Sequence, residues 1–584
     1  MATTVASGAW IEVHADEASD AIVAAMGHAG VEYLFFTSGS EIMFYQEAIA
    51  KARAHGWPTP RLITMTHEHP SLNAAIGYSM VSGQRPVATA AHVDVGTQNY
   101  GGAVHTALRS GMPVLITAGA PPVSYPGSLR GARDGGHFWL QQVPDQNGIV
   151  RQYVKWDYRL EYQDNPGLIV SRALQVAQAE PMGPVYLSIP REIAMLAMQG
   201  ARFPTTQQLG IPRPPAPDPD AVRTAAELLV RAQNPMVVVS RSGRNFATLE
   251  PLRQLCELLG LPVAEGAWRP FQCFPLDHPL YQSVTSLRDA DVVLVLENDV
   301  PWLPGPNAPG PDAQVIVVDV DPVRPRIPTL EFTATLRITS DTLQFLRALQ
   351  PVVEGMLSAS DRSRCADRTQ RWADAARARK ERDDAEAQAL ATKAPIDPLW
   401  LAYNIGQVLD DNCILLDETL TAAPVYRYVR LNEPGRYFRN PGSSGGWGPG
   451  AALGAKLARP DKDIVLVTGD GFYMYAVPNP AIWAAAHYGA PFMTVIFQNR
   501  SYSTGTRATE QFYPGGYSSK AGHEGGYFDP PIDFAKEAEA AGAYGENVRD
   551  PAEVGPALRR GLEQIRRGTP AVISVWLPRI LHDD

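Results

Sequence analysis

Residues 463–499 read DIVLVTGDGFYMYAVPNPAIWAAAHYGAPFMTVIFQN, and this stretch indicates the fold class most clearly. An apolar run of strand length leads into GDG at 469–471, a helical stretch follows, and a second apolar run ends at Asn499. Continuous apolar strands that alternate with helices are typical of parallel sheets buried on both faces. Asp470 and Asn499 each follow one of the two strands, so they are predicted to lie at the same edge of the sheet. Ligands bind at this edge, the carboxyl ends of the strands.

The same rhythm recurs in three segments of the chain. Apolar runs such as VEYLFFT and PVLITAG mark the first, PMVVVS and AQVIVVDVD the second, and CILLDE and PAVISVWLP the third. At 584 residues the chain is too long for one core. We therefore predict three doubly wound α/β parallel-sheet domains in series. The predicted boundaries are an N-terminal domain at 1–195, a proline-rich linker at 196–220, a central domain at 221–352, a charged helical linker at 353–394 and a C-terminal domain at 395–584.

Composition excludes several classes of function. The net charge of −10, without a long basic run, gives no reason to expect a nucleic acid or membrane partner. The four cysteines are widely scattered and lack CxxC spacing, so neither a zinc site nor a disulfide framework is indicated. The apolar runs are far shorter than the roughly 20 residues that span a bilayer. Without a recognisable secretory signal, we expect a cytoplasmic protein acting on a small-molecule substrate.

The residues at the two strand ends suggest a specific chemistry. A carboxylate and an amide oxygen at neighbouring strand tips, here Asp470 and Asn499, can hold an octahedral cation that also bridges two phosphates. Glycines at 469 and 471 let the backbone approach those phosphates closely. The alternative is a GDG turn that binds no ligand.

The arrangement of strand, GDG, helical spacer and a strand ending in asparagine resembles the thiamine diphosphate motif of one enzyme superfamily. Its members include acetolactate synthase, pyruvate oxidase and benzoylformate decarboxylase, with 2-hydroxyacyl-CoA lyases among the relatives. The resemblance implies thiamine diphosphate and Mg²⁺ as cofactors, with Asp470, Asn499 and the carbonyl of Ser501 as metal ligands. This chain has Gln498 where the family usually has a first asparagine. The further cofactor contacts that the resemblance implies are Gly469, Gly471, Phe472, Tyr502, Leu420, Thr421, Ser443 and Gly445.

The turn with Leu420 and Thr421 is a weaker signal than GDG. It lies in DETLT at 417–421, after the strand CILL, and resembles the diphosphate-contacting turn of the family. The same residues after a strand are equally an ordinary helix cap.

A candidate for the activating glutamate lies in the first segment. After PRLITMT come His67, Glu68 and His69 and then PSLNAAIGYSMVSG, which resembles the glutamate-bearing strand and helix of the family. The resemblance implies that Glu68 contacts N1′ of the aminopyrimidine and so activates C2 of the cofactor. The alternative is a solvated cap. Because family members bind the cofactor between the first domain of one subunit and the third of another, the resemblance implies at least a homodimer, with a homotetramer predicted.

Substrate-handling residues are also implied by the resemblance. His92, in HVDVGTQN, and Ser40, in SGSE, match a catalytic histidine and an active-site serine of benzoylformate decarboxylase-like enzymes. Gln142 matches an active-site glutamine or glutamate of acetolactate synthases. A histidine can protonate the enamine left after decarboxylation, and a serine can hold a carboxylate. The alternative for His92 is a structural histidine, which is also the interpretation of the three remaining candidates, His69, His105 and His137.

One position departs from the family. Aligning GSSGGWGPG places Ser443 at the carbonyl that binds the 4′-amino group and Gly445 at the bulky residue that supports the bent cofactor. Either Trp447 or Met474 fills the space, or the pocket is enlarged, and the sequence leaves this open. In the central domain no GxGxxG follows PMVVVSRSG, so FAD is not expected, while another nucleotide or coenzyme A stays open.

The function predicted on this basis is a thiamine diphosphate- and magnesium-dependent lyase. It would cleave a carbon–carbon bond next to a carbonyl, in a 2-oxo acid or a 2-hydroxyacyl-CoA, through a ylid and an enamine. The first alternative is a carboligase of the acetolactate synthase type, which shares the enamine. The second, of another class, is a catalytically silent cofactor-binding paralogue.

Overall fold

Three parallel six-stranded sheets follow one another along the chain, which confirms the predicted α/β architecture. The computed structural model describes residues 10–266, 268–283, 286–419 and 425–581. Each sheet carries helices on its faces, and its central strands are buried. The domain boundaries given above remain predictions.

The first sheet is built by the N-terminal part of the chain. Its elements are β1 (Ile11–Val13), α1 (Ala18–His28), β2 (Tyr33–Phe36), α2 (Phe44–Ala54), β3 (Arg61–Thr64), α3 (Glu68–Val81), β4 (Val87–Ala91), α4 (Val93–Asn99), α5 (Ala103–Ser110), β5 (Val114–Ala120), α6 (His137–Leu140), β6 (Trp156–Arg159), α7 (Pro166–Gln178), β7 (Val185–Pro190), α8 (Arg191–Ala194), β8 (Ala201–Phe203) and α9 (Thr206–Leu209). The strand order is β3-β2-β4-β5-β7-β6, while β1 and β8 form a separate antiparallel pair.

The second sheet belongs to the central part of the chain. Its elements are α10 (Pro219–Arg231), β9 (Pro235–Val239), α11 (Leu249–Leu259), β10 (Val263–Glu265), β11 (Tyr281–Ser283), β12 (Val292–Leu296), β13 (Gln314–Asp319), β14 (Leu336–Thr339) and α12 (Thr342–Met356). The strand order is β11-β10-β9-β12-β13-β14. A long, largely exposed helix, α13 (Ala359–Gln388), follows in the charged segment.

The third sheet carries the motif that opened the sequence analysis. Its elements are α14 (Pro398–Val408), β15 (Cys413–Glu418), β16 (Tyr437–Arg439), α15 (Gly448–Ala458), β17 (Asp463–Gly469), α16 (Asp470–Tyr475), α17 (Asn479–Tyr488), β18 (Met493–Gln498), α18 (Ser503–Phe512), α19 (Tyr517–Lys520), α20 (Phe534–Ala540), β19 (Tyr544–Val548), α21 (Val554–Arg566) and β20 (Ala571–Trp576). The order is β16-β15-β17-β18-β20-β19, so the strand order reverses between β15 and β17, where such sheets bind ligands.

Two helices join the first and third sheets at close range. Every residue of α3 is buried, and α3 packs against α15 through small residues. A Cβ atom built on Gly454 would lie 1.9 Å from the carbonyl oxygen of Ala74, and one on Gly77 would lie 2.3 Å from that of Ala451. Because no side chain fits at these glycines, the two helix backbones can come together. The contact places the first turn of α3 beside the first turn of α15.

Among the residues that the structure describes, no helix combines the length and the apolar character needed to span a bilayer.

Candidate active site

A cavity of about 360 Å³ opens at the carboxyl edge of the third sheet, at the strand-order reversal. Within the described part of the chain, its lining comes entirely from residues after β15 begins. The lining residues are Glu418, Thr419, Ser443, Ser444, Gly445, Gly469, Asp470, Gly471, Phe472, Tyr475, Phe497, Asn499, Ser501, Tyr502, Ser503, Thr504 and Gly505. The sequence-predicted cofactor contacts in the described part of the third domain therefore all lie around one cavity. The predicted contacts Leu420 and Thr421 lie outside the described residues.

Asp470 begins α16, directly after β17, and is only 2% exposed. Its Oδ1 accepts a hydrogen bond from the backbone N–H of Gly471 at 2.8 Å, and its Oδ2 accepts one from the N–H of Arg500 at 2.5 Å. Burial raises the pKa of Asp470 to about 7 despite these donors. A divalent cation at this carboxylate would offset the cost of its burial, so the residue fits a metal ligand.

The second predicted ligand pair lies at the end of β18. Asn499 and Ser501 both line the cavity, and the Asn499 Oδ1 accepts a hydrogen bond from the N–H of Ser501 at 3.0 Å. Gln498, in contrast, is turned into the sheet, where it donates to the carbonyl of Ile532 at 2.8 Å and accepts from Ser574 at 2.6 Å. The side chain at 498 thus serves packing, which explains why glutamine is acceptable there. A carboxylate, an amide oxygen and a carbonyl form the oxygen set that Mg²⁺ takes.

Glu418, which the sequence analysis did not select, also lines the cavity. It is buried at the end of β15, and its carboxylate accepts hydrogen bonds from the N–H groups of Trp447 and Gly448 at 2.7 and 3.0 Å. Asn440 donates to the same carboxylate at 2.9 Å. Burial raises the pKa of Glu418 to about 7. The residue therefore fixes the loop before α15 on which Ser443 and Gly445 lie.

The ring of Phe472 lies where a bulky side chain at position 445 would be. A Cβ atom at Gly445 would lie 2.3 Å from Cδ1 of Phe472, so the phenylalanine ring occupies the space of the missing side chain. Trp447 is instead packed in the core at 1% exposure, and Met474 is not among the lining residues of the cavity. Neither of the two residues proposed from the sequence therefore fills the space. The ring of Tyr502, 53% exposed, forms another aromatic part of the lining.

Glu68 is the first residue of α3 and is 6% exposed. Its Oε2 accepts a hydrogen bond from the Asn99 side chain at 3.3 Å. Its Oε1 faces Gly96, where a Cβ atom would lie 2.8 Å away. The carboxylate is thus enclosed by α4 and does not behave as a solvated cap.

His92 and Ser40 meet at one carboxylate. His92 caps α4, and its Nε2 pairs with Oε2 of Glu41, to which the hydroxyl of Ser40 donates at 2.8 Å. The sequence analysis named both of these residues but missed Glu41, which is completely buried. Its adjacency to Ser40 in SGSE was the signal available. Because α4 also supplies Gly96 and Asn99, one short helix links this cluster to Glu68.

The remaining candidates are spread around these groups. Gln142 is exposed and accepts a hydrogen bond from Arg133, so the structure does not bring it to the carboxylate of Glu41. His137 does approach that carboxylate, with Nε2 3.9 Å from Oε1 of Glu41. His69 is buried against the carbonyls of Tyr100 and Gly446, and burial lowers its pKa. His105 contacts Ser443 at 3.2 Å, and burial lowers its pKa as well.

Comparison with known proteins agrees with this geometry. The N-terminal TPP binding domain, the central domain and the C-terminal TPP binding domain of the thiamine pyrophosphate enzymes match residues 16–149, 222–349 and 421–575. The chain belongs to the thiamine pyrophosphate enzymes. Thiamine pyrophosphate is a second name for thiamine diphosphate, so both cofactor-binding domains of the family are present.

Relatives within the thiamine pyrophosphate enzymes differ in activity. The chain is 27% identical to a probable acetolactate synthase of Mycobacterium bovis, over 94% of this chain and 93% of the relative. It is 28% identical to a benzoylformate decarboxylase of Pseudomonas aeruginosa, over 76% and 79%. It is 26% identical to a sulfoacetaldehyde acetyltransferase of Rhodobacter capsulatus, over 97% and 95%. Family membership therefore leaves the reaction type open.

Solved structures share the fold. A benzoylformate decarboxylase from Polynucleobacter necessarius superposes with a TM-score of 0.75 at 19% identity, covering 98% of this chain and 100% of the other. A 4-hydroxybenzoylformate decarboxylase of Rhodococcus jostii superposes with a TM-score of 0.76 at 21% identity, covering 97% and 100%. At these identities the likeness concerns the fold alone.

Proposed function

We propose that the protein is a thiamine diphosphate- and magnesium-dependent lyase that cleaves a carbon–carbon bond next to a carbonyl. The observation that carries the proposal is the oxygen set of Asp470, Asn499 and Ser501 around one cavity, together with the enclosed carboxylate of Glu68. In this proposal the oxygen set holds Mg²⁺ and, through it, the diphosphate. When bound, thiamine diphosphate would supply a nucleophilic carbon and a positively charged ring that stabilises the negative charge left by bond cleavage.

Other residues of the chain activate the cofactor, support it and contact the substrate. Glu68, held by Asn99, shares a proton with the aminopyrimidine nitrogen and so keeps the cofactor reactive. Phe472 supports the cofactor from the position that Gly445 leaves vacant. His92 gives or takes a proton on the substrate, and Ser40 holds the substrate carboxylate. Asp470 serves the metal and takes no part in proton transfer.

The proposal includes assembly into a homodimer at least, and into a homotetramer on the family pattern. It is supported by the lining of the cavity, to which, among the described residues, the first domain of the same chain contributes none, although its α3 packs against α15. A second copy of the chain would bring the first domain to the open side of the cavity.

An acetolactate synthase-type carboligase is the second candidate, and the acetolactate synthase relatives favour it. Ligation would need the same residues and a second carbonyl compound as acceptor. A catalytically silent paralogue is disfavoured by the burial and the hydrogen bond of Glu68, because a carboxylate without a task is costly to bury.

The test is a substrate panel with purified protein, Mg²⁺ and thiamine diphosphate. Pyruvate, benzoylformate, a 2-hydroxyacyl-CoA and sulfoacetaldehyde with phosphate would be assayed for product by mass spectrometry, with Glu68→Gln as the matched inactive control. Both reactions release carbon dioxide from a 2-oxo acid, but a lyase then releases a free aldehyde, whereas a carboligase yields a product in which two carbonyl compounds are joined. Tight cofactor binding without turnover of any member would favour the silent paralogue and contradict the proposal.

A further inference from the structure

The carboxylate of Glu41 is a buried charge to which the activity outlined above assigns no task. The side chain is 0% exposed, and its Oε2 pairs with both Ser40 and His92. Its Oε1 is buried without a hydrogen-bond partner within the described part of the chain. Burial raises the pKa of the Glu41 carboxyl, but the hydrogen bonds from His92 and Ser40 outweigh burial and leave it below the ordinary value.

Glycines leave space for the Glu41 and His92 side chains. A Cβ atom at Gly39 would lie 2.1 Å from Cδ2 of the His92 ring, so the ring can rest on this turn only because residue 39 is glycine. A Cβ atom at Gly119, near the end of β5, would lie 2.9 Å from Cβ of Glu41. Two glycines on different segments therefore make room for the imidazole and the carboxylate, as expected of a built site.

The pair is also tied to Glu68. His92 stands immediately before α4, whose Gly96 and Asn99 enclose the Glu68 carboxylate. A shift of the His92 backbone would therefore move the surroundings of the activating glutamate. A fixed orientation of His92 is compatible with a fixed α4.

We propose that Glu41 is a positioning residue that engages His92 through Nε2, so that Nδ1 is the nitrogen that acts on the substrate. This inference rests on the proposed function. Because Nε2–H donates to Glu41, neutral His92 carries its lone pair on Nδ1. Protonated His92 gives the Nδ1 proton to the basic atom of the substrate and becomes neutral imidazole, while the other proton stays on Nε2, hydrogen-bonded to Glu41.

His137 is the second titratable group that faces Glu41. It lies on α6, is 51% exposed on its side chain, and its Nε2 is 3.9 Å from Oε1. Coupling between His137 and Glu41 is therefore expected to be weaker than coupling between His92 and Glu41.

The first test needs neither cofactor nor substrate. A proton spectrum of the protein in cold water should show a far-downfield imidazole N–H signal from the His92–Glu41 hydrogen bond. The signal should vanish in Glu41→Gln and in His92→Ala. Glu192→Gln is the matched control, because Glu192 is another buried carboxylate of the first domain but accepts from the backbone N–H of Val123. A signal that persists in Glu41→Gln, or is missing from the parent, overturns the proposal.

The second test is a double-mutant cycle on kcat, with the panel substrate that the parent converts fastest. Glu41→Gln is expected to lower kcat about 10- to 100-fold with a smaller change in KM, a part of what a general acid–base contributes. In the His92→Ala background the same substitution should change kcat less than about 3-fold. Glu192→Gln should act equally in both backgrounds. Equal losses for Glu41→Gln in both backgrounds would reduce Glu41 to a purely structural role.

Hydrogen–deuterium exchange at C2 of the bound cofactor distinguishes failure of the proposed function from failure of the role proposed for Glu41. Glu41→Gln should exchange at the parent rate, since the substitution releases the His92 side chain but leaves Glu68 and the backbone of α4 in place. If the parent itself binds no cofactor or does not exchange, the proposed function fails, and the N–H signal alone decides the role of Glu41.

Discussion

A leucine at position 445 should abolish cofactor binding unless Phe472 is removed at the same time. The Cβ of residue 445 would lie 2.3 Å from Cδ1 of Phe472. Ordinary carbon contacts begin near about 3.5 Å, so the ring or the loop must move by about 1 Å, and the rest of the leucine side chain needs more. Such overpacking beside Glu418 and Ser443 would distort the wall of the cavity.

Removal of the ring should weaken binding by a calculable amount. If Phe472 buries about 60–110 Å² of apolar surface against the cofactor, the loss is about 1.5–2.8 kcal/mol in Phe472→Ala. This corresponds to a Kd for thiamine diphosphate that rises about 10- to 100-fold. The double variant Gly445→Leu/Phe472→Ala places an apolar side chain in the same space from the other direction. It should recover to within about 10-fold of the parent.

Isothermal titration calorimetry with thiamine diphosphate in excess Mg²⁺ measures all four proteins. Gly355→Leu is the control for a glycine-to-leucine change, because nothing lies within 4 Å of a Cβ atom at Gly355 on α12. It should bind as the parent does. Parent-like binding by Gly445→Leu alone would refute the steric reasoning. If the double variant binds thiamine diphosphate no more tightly than the weaker-binding single variant, the claim that a leucine at 445 can replace the Phe472 ring is refuted.

Three further predictions concern the metal, the helix contact and assembly. Asp470→Ala, like chelation of divalent ions by EDTA, should abolish thiamine diphosphate binding in calorimetry; binding as tight as in the parent would contradict the metal assignment. Gly454→Ala should lower the free energy of unfolding in urea by about 1–3 kcal/mol, because its Cβ atom would lie 1.9 Å from the carbonyl oxygen of Ala74. This steric clash outweighs the gain in helix propensity. Unchanged stability would contradict the α3–α15 contact. Light scattering should give a multiple of 63.5 kDa, and an active monomer would exclude assembly across subunits.

The α/β architecture was predictable because continuous apolar strands alternate with helices throughout the chain. The sheet edge proposed to bind the metal was equally predictable, since Asp470 and Asn499 directly follow strands whose ends must meet in a parallel sheet. Local sequence carries that information because strand ends and glycine turns are local features.

Contacts between distant segments were not predictable in the same way. Which side chain fills the space at Gly445 depends on how α16 packs against the loop before α15, and the sequence suggested Trp447 or Met474 where the structure has Phe472. Glu41 was missed because its partner, His92, comes from a different strand end. A buried carboxylate cannot be distinguished from a solvated one until its neighbours are known.

The central claim is that this cavity binds thiamine diphosphate and that Glu68 activates it. The most direct measurement is hydrogen–deuterium exchange at C2 of the bound cofactor, quenched in acid and read by NMR, in the parent and in Glu68→Gln. The substitution keeps the shape of the side chain but cannot cycle the proton. We predict fast exchange in the parent and exchange slower by at least about 10²-fold in Glu68→Gln, with cofactor still bound. Exchange in Glu68→Gln as fast as in the parent would contradict the account.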